Sequence, residues 1–356
     1  MLKPIKKAKK KMCKSQKVTK KDYKASIKSD LDFFSDDLYL PRFNTAKPCA
    51  ICPAESCLAS AMPWDDFRAE AECFQHTYAN TTFRLLFVAA HQLFSCQPGV
   101  GICTLSPDYM HDKHLGFDKY FLASVLVVIV FRIMEGTPEA NLAIIWNDIL
   151  DYYRSAQGKK YAGNSYRNMS FSMFCIRDDL NETQPTLKGR AAEIRSLTPA
   201  LNAIFPKYAV RRNALHKSVR LALQFSSRMD EILAENKNED CLPGPAAMEF
   251  QKCTFDLLAA TKFCCAEAAA CDPPIRAFNL TIKSHYLCHI ALQAPWINPR
   301  HGWCYAGEDL MHKMKLLAAT CCRARSPYTV FDKMNAKYLF ALHHEFTRGR
   351  LGVHGC

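Results

Sequence analysis

Twelve consecutive residues, Tyr120–Phe131 (YFLASVLVVIVF), carry no charge before Arg132 interrupts them. A helix that is apolar on every side must be surrounded, by protein or by lipid. Crossing a bilayer takes about 20 such residues, so the run is too short to span one. It is read as the central helix of a soluble body with no membrane association. A helix of this kind needs partners, and the sequence supplies them. Helical periodicity runs over 117–134, 138–157, 188–204, 209–236 and 245–270, and again over 308–322 and 327–347. Val219, Leu221, Leu223, Phe225, Met229, Ile232 and Leu233 largely follow one face of the fourth of these.

Strand signals are few. Val100–Leu105 alternates branched residues between Pro98-Gly99 and Ser106-Pro107-Asp108, and Phe278–Ile290 reads as a strand running into a helix. Trp64–Tyr78 reads as a helix after Pro63, with Asp65 and Asp66 in its first turn. The expected class is mainly α with a few short strands.

Charge is concentrated rather than spread. The formal charge is +13, but residues 1–28 hold twelve lysines against the single acid Asp22. The folded remainder is therefore near neutrality, which excludes a uniformly cationic, histone-like surface. Lys6, Lys7, Lys9, Lys10 and Lys11 form a cluster suited to nuclear localisation or nucleic-acid contact. With no apolar leader segment, the 18 cysteines are expected as reduced thiols in an intracellular, nuclear setting.

Three segments have the residue types that carry chemistry. Cys49-Ala-Ile-Cys52 sits on a proline-flanked loop with Cys57 just beyond. Two thiolates at this spacing can reach one tetrahedral Zn²⁺, with Cys57, Cys73, His76, His111 or His114 available to complete the set; the alternative is a set of unliganded structural cysteines. Asp108-Tyr-Met-His111-Asp-Lys-His114-Leu-Gly116 places an acid after a short strand with two histidines behind it. That pattern suits either a divalent cation or the capping of the helix that follows. His285 and His289 share a helical face, and Glu308 opens an amphipathic helix, where the dipole favours a carboxylate. Glycine-rich phosphate loops and the common hydrolase motifs are absent.

Taken in order, these segments resemble a family. Pro48-Cys49-Ala-Ile-Cys52, Asp108-Tyr-Met-His111 with Leu115-Gly116, and Lys283-Ser-His285-Tyr-Leu-Cys-His289 followed by Trp303-Cys-Tyr-Ala-Gly-Glu308 are similar to the P-C-x-x-C, D-x-M-H-x-x-x-L-G and K-x-H-x-x-x-H…W-x-x-x-x-E segments of En/Spm-like (CACTA-type) DDE transposases. Ser29-Asp30-Leu31 is similar to their G-D-L segment, with serine in place of the glycine. The resemblance implies a partial RNase-H-like α/β core interrupted by a large helical insertion. It divides the chain into a lysine tail (1–28), a cysteine-containing first part of the core (29–116), the insertion (117–275), a second part of the core (276–348) and a short tail (349–356). It also implies DNA as partner and an acidic set holding Mg²⁺. Carried over, Glu308 is the helical acid, and either Asp30 or Asp108 is the second. His111, His114, His285 and His289 would support the acids or contact phosphate. The family's leading strands and first acid have no counterpart before the cysteines. A truncated or domesticated relative is therefore expected, with an open sheet edge that leaves room for oligomerisation.

Two other readings fit the same residues. One is a non-catalytic helical protein that binds nucleic acid or other proteins. The other is a metal-dependent hydrolase of small molecules that uses the His/Asp/Glu set.

Overall fold

A computed structural model describes residues 27–29, 41–42, 44–76, 105–175, 180, 182–322 and 327–347. The chain forms two compact units, Met1–Trp303 and Cys304–Cys356. It is mainly helical, as its periodicity implies. The strands among the described residues are β1 (Ile27–Ser29) and β2 (Leu105–Pro107), which pair in parallel with Ile27 opposite Leu105. Most of the strand expected over 100–105 lies outside the described residues. Among the described residues of the cysteine segment the helix is α1 (Glu72–Gln75), and Trp64–Ala71, expected as its start, are turns and irregular backbone. Before it, Trp64 N–H donates to the Glu55 carbonyl and Glu55 N–H to that of Met62, a turn that folds the chain back on itself.

The apolar run lies inside α2, a continuous helix from Met110 to Ile133 that is π-wound over Met110–Asp118 and Ile129–Ile133. It begins at Met110 instead of the expected residue 117, which brings the polar segment His111–Asp118 into the helix. Every residue from Phe121 to Val130 is at most 1% exposed. By length and composition α2 could cross a membrane, and 78% of its most apolar window is buried inside the protein.

Around it stand α3 (Pro138–Arg154), α4 (Ala191–Tyr208), α5 (Ala214–Glu235), α6 (Gly244–Ala270) and α7 (Ile282–Gln293). Their starts carry the expected chemistry. Thr137 caps α3 by accepting from Ala140 N–H ahead of Pro138, and Asn213 caps α5 by accepting from His216 N–H. At α4, Arg190 N–H donates to the Glu193 carboxylate.

Two contacts set α7 against α2. A Cβ on Gly116 would lie 2.8 Å from the His111 carbonyl of its own helix and 2.8 and 3.0 Å from Lys283 Cδ and Cβ on α7, so a side chain there would press on both. Phe278, fully buried, has φ of 59°, a left-handed conformation rare for a bulky residue. Its N–H donates to Ser124 Oγ at 2.8 Å. The backbone from 275 to 281 forms no strand, so the strand expected from Phe278 is replaced by this turn into α7.

The second unit contains α8 (Tyr305–Cys321) and α9 (Pro327–Thr347), which pack on each other.

Leu221 and Leu223 lie on α5, but Leu223 is fully buried and Leu221 is 42% exposed. Leu223→Ala is expected to lower unfolding free energy by about 2–5 kcal/mol. Leu221→Ala should stay within about 0.5 kcal/mol. Chemical denaturation of both variants checks this, and equal losses would show that the α5 face is misassigned.

Candidate metal centre

The cysteine loop and α7 meet at one point. Cys49 Sγ lies 3.3 Å from His289 Nε2, Cys52 Sγ 3.1 Å from His285 Nε2, and the two Nε2 atoms 3.2 Å apart. All four ligand atoms fall within 4.8 Å of one another, and all four residues are buried. Tetrahedral Zn–S and Zn–N bonds of about 2.3 and 2.0–2.1 Å separate neighbouring donors by about 3.3–3.8 Å. The cluster could hold a metal such as zinc.

Three of the four donors are positioned from behind. His285 Nδ1 lies 2.8 Å from the Trp64 carbonyl, an acceptor, so Nδ1 carries the proton and Nε2 presents its lone pair to the cluster. Phe74 stacks on the His285 ring at 5.1 Å and meets His289 edge-on at 5.4 Å. Ile51 N–H donates to Cys49 Sγ at 3.3 Å, and Ala50 N–H to Tyr286 Oη at 2.8 Å. The helical i, i+4 spacing of His285 and His289 puts both rings on one side of α7.

The electrostatics follow from burial and from these neighbours. Burial pushes the Cys49 thiol up, but Cys52, His289 and His285 together bring it well below its ordinary value. Burial raises Cys52 well above, with Cys49 and Cys73 adding to the effect. For His285, burial favours the neutral ring but Cys49 outweighs it and raises the value.

The ligand set differs from the one expected. Cys49 and Cys52 belong to it, but Cys57 is exposed and stands outside. Cys73 is buried next to Cys52 without joining the four. His76, His111 and His114 also lie outside. The second pair is His285 and His289, which the family resemblance assigns to the acids or to phosphate. The i, i+4 histidines are the available signal, but spacing alone does not connect them to cysteines 233 and 240 residues away.

The other candidate residues fall in different places. Asp108 is 1% exposed; Oδ1 accepts from Met110 N–H at 2.9 Å and Oδ2 is bound tightly to His111 Nδ1. Glu308 lies in the first turn of α8, in the other compact unit. Asp30, Lys6, Lys7, Lys9, Lys10 and Lys11 lie outside the described residues.

His114 instead enters a buried polar network. Lys113 Nζ, fully buried, donates to Asp118 at 2.8 Å, to Ser226 Oγ at 2.9 Å and to Asp230 at 3.3 Å. Asp230 Oδ1 also receives His114 Nε2 at 3.1 Å and Tyr109 Oη at 3.2 Å. His114, Asp118 and Asp230 are close enough to hold a metal, but the Lys113 ammonium already supplies the cation between the two carboxylates.

No family model, curated protein or solved structure matches this chain.

Purified protein is expected to carry about one zinc per chain by elemental analysis. Cys49→Ser and His289→Ala should lose it and melt roughly 10 °C lower, while Cys57→Ser keeps it. Unchanged metal content in Cys49→Ser would sink the site.

In the network, burial would raise Asp230, but Lys113, His114 and Arg195 hold its carboxyl well below the usual range. A carboxyl depressed on folding contributes stability above its unfolded pKa, near about 3.9, and loses it as pH falls towards the folded value. Lys113→Ala, which strands both carboxylates, should cost about 3–5 kcal/mol at pH 7. Its penalty should shrink below about pH 4, as Asp230 protonates. Denaturation of wild type and variant across pH measures this, and a penalty independent of pH would contradict this account of the network.

Proposed function

We propose that this chain is a transposase-derived DNA-binding protein whose helical body is tied together by one structural zinc ion. The observation that carries the reading is the meeting of Cys49 and Cys52 with His285 and His289. The two motifs that resemble separate segments of En/Spm-like transposases converge on one buried point. Four protein donors in a closed, buried set leave no open coordination position, which is the arrangement of a structural rather than a catalytic zinc. When bound, the ion would hold the cysteine loop on α7 by charge and coordination.

In this reading DNA affinity has two sources. The lysine tail supplies nonspecific phosphate contacts, and the helical body supplies the specific surface. Glu308 and Asp108 are the acids that strand cleavage with Mg²⁺ would require, with Asp30 as third, on a partial RNase-H-like core. The engagement of both Asp108 oxygens by Met110 and His111 favours the second reading for the chemistry, a body that binds without cutting.

The full chain is expected to bind duplex DNA with an affinity that falls steeply with salt. Deleting residues 1–28 should weaken binding and flatten the salt slope by several units, yet leave measurable binding by the body. Fluorescence anisotropy over a salt series checks this. A body with no DNA affinity would overturn the proposal and leave only a cationic tail.

A further inference from the structure

One indole holds two arginines. The Arg195 guanidinium carbon lies 4.8 Å from the Trp303 ring centroid and that of Arg300 lies 4.5 Å from it. Four other arginines in this unit meet acids. Arg68 pairs with Asp66, Arg154 with Asp151, Arg190 with Glu193 and Arg228 with Glu249. Neither Arg195 nor Arg300 has a side-chain hydrogen bond or ion pair among the described residues, and Arg195 Nε is buried without an acceptor.

Two like charges on one ring repel each other, and a buried donor without an acceptor costs about 1–3 kcal/mol. The nearest acid does not resolve this. Asp230 draws on Arg195 and Arg300 at longer range, but its oxygens are taken by Lys113, His114 and Tyr109. Counting Lys113, Arg195 and Arg300 against Asp118 and Asp230 leaves one positive charge in excess. Burial, then Arg195, lowers the Arg300 guanidinium from its ordinary value, against a smaller opposing pull from Asp230.

The surroundings hold these side chains in place. Tyr109 stacks parallel to Trp303 at 6.1 Å with 13° between the planes. Asn298 caps the 3-10 turn Pro299–Gly302 by accepting from Arg300 N–H, and its amide donates to the carbonyls of Asn236 and Glu239. Gly302 approaches β2 so closely that a Cβ would sit 3.2 Å from the Pro107 carbonyl. The pair of arginines thus stands beside the strand end that leads into Asp108. Arg300 and Trp303 are both partly exposed.

We infer that Arg195 and Arg300, held on Trp303, form a phosphate-binding site. Guanidinium forks match phosphate oxygens in bidentate fashion, and a fixed aromatic support pre-organises them at little entropic cost. The site deepens the DNA-binding reading by naming the group that the body holds. It rests on that reading only for the phosphate's source, a nucleic-acid backbone instead of a free phosphorylated molecule.

The test is titration calorimetry of the full chain with inorganic phosphate at matched chloride ionic strength, and separately with a single strand of about 12 nucleotides. Wild type should show a phosphate site that Arg300→Gln and Arg195→Gln each weaken about tenfold, with circular dichroism confirming their fold. Arg300→Lys keeps the charge without the fork and should fall between. Should Arg195→Gln fail to fold, Arg300→Gln on its partly exposed turn decides. Parallel losses for phosphate and oligonucleotide support the site with a nucleic-acid source, and loss for phosphate alone supports it with a free phosphorylated ligand. Unchanged phosphate binding in Arg300→Gln, or no phosphate binding by wild type, overturns the site. In either case DNA binding by the tail-deleted body is measured independently, so the broader reading stands or falls separately.

Discussion

The crossing of α7 over α2 is the constraint on which the first unit depends. α2 is enclosed along its apolar length, and a fully apolar helix gains its stability only when every side is covered. Gly116 lets α7 approach closely enough to cover one side. That approach sets the direction of His285 and His289, and through them the place of the cysteine loop. The candidate metal centre is thus a consequence of helix packing.

The polar start of α2 shows how the same helix serves a second purpose. Lys113, His114 and Asp118 are as buried as the valines that follow them. A buried ammonium between carboxylates is seldom more stabilising than an apolar replacement would be. What it adds is geometry, because Lys113 and Asp118 on α2 are fixed to Ser226 and Asp230 on α5 at defined atoms. That linkage orients Tyr109, and with it the indole on which the two arginines rest.

Much of this is legible in the sequence, for reasons that differ by element. The helices are readable because period and caps agree. The expected 138–157 and 245–270 are observed as Pro138–Arg154 and Gly244–Ala270. Leu221 reads as part of the buried face because it is apolar, although its position on α5 turns it outward. The start of α2 is hidden because Asp112, Lys113 and His114 look like a solvated loop; only tertiary partners make them tolerable inside. For the metal centre, the CxxC spacing is informative and the histidine spacing ambiguous. No local signal links residues at opposite ends of a chain, and Arg195 gives none at all. It is one arginine among many until Trp303 is folded against it.

The hydrogen bond from Phe278 to Ser124 closes a long excursion. Between these residues the chain builds α3, α4, α5 and α6, then returns to within one hydrogen bond of where it left. Loop-closure entropy rises only logarithmically with length, so the excursion can lengthen or shorten at its solvent-facing turns without disturbing its two ends. The start of α2 also meets this excursion at Ser226 and Asp230 on α5, so the framework of the cysteine loop, α2 and α7 is fastened where the excursion closes and once more along its path.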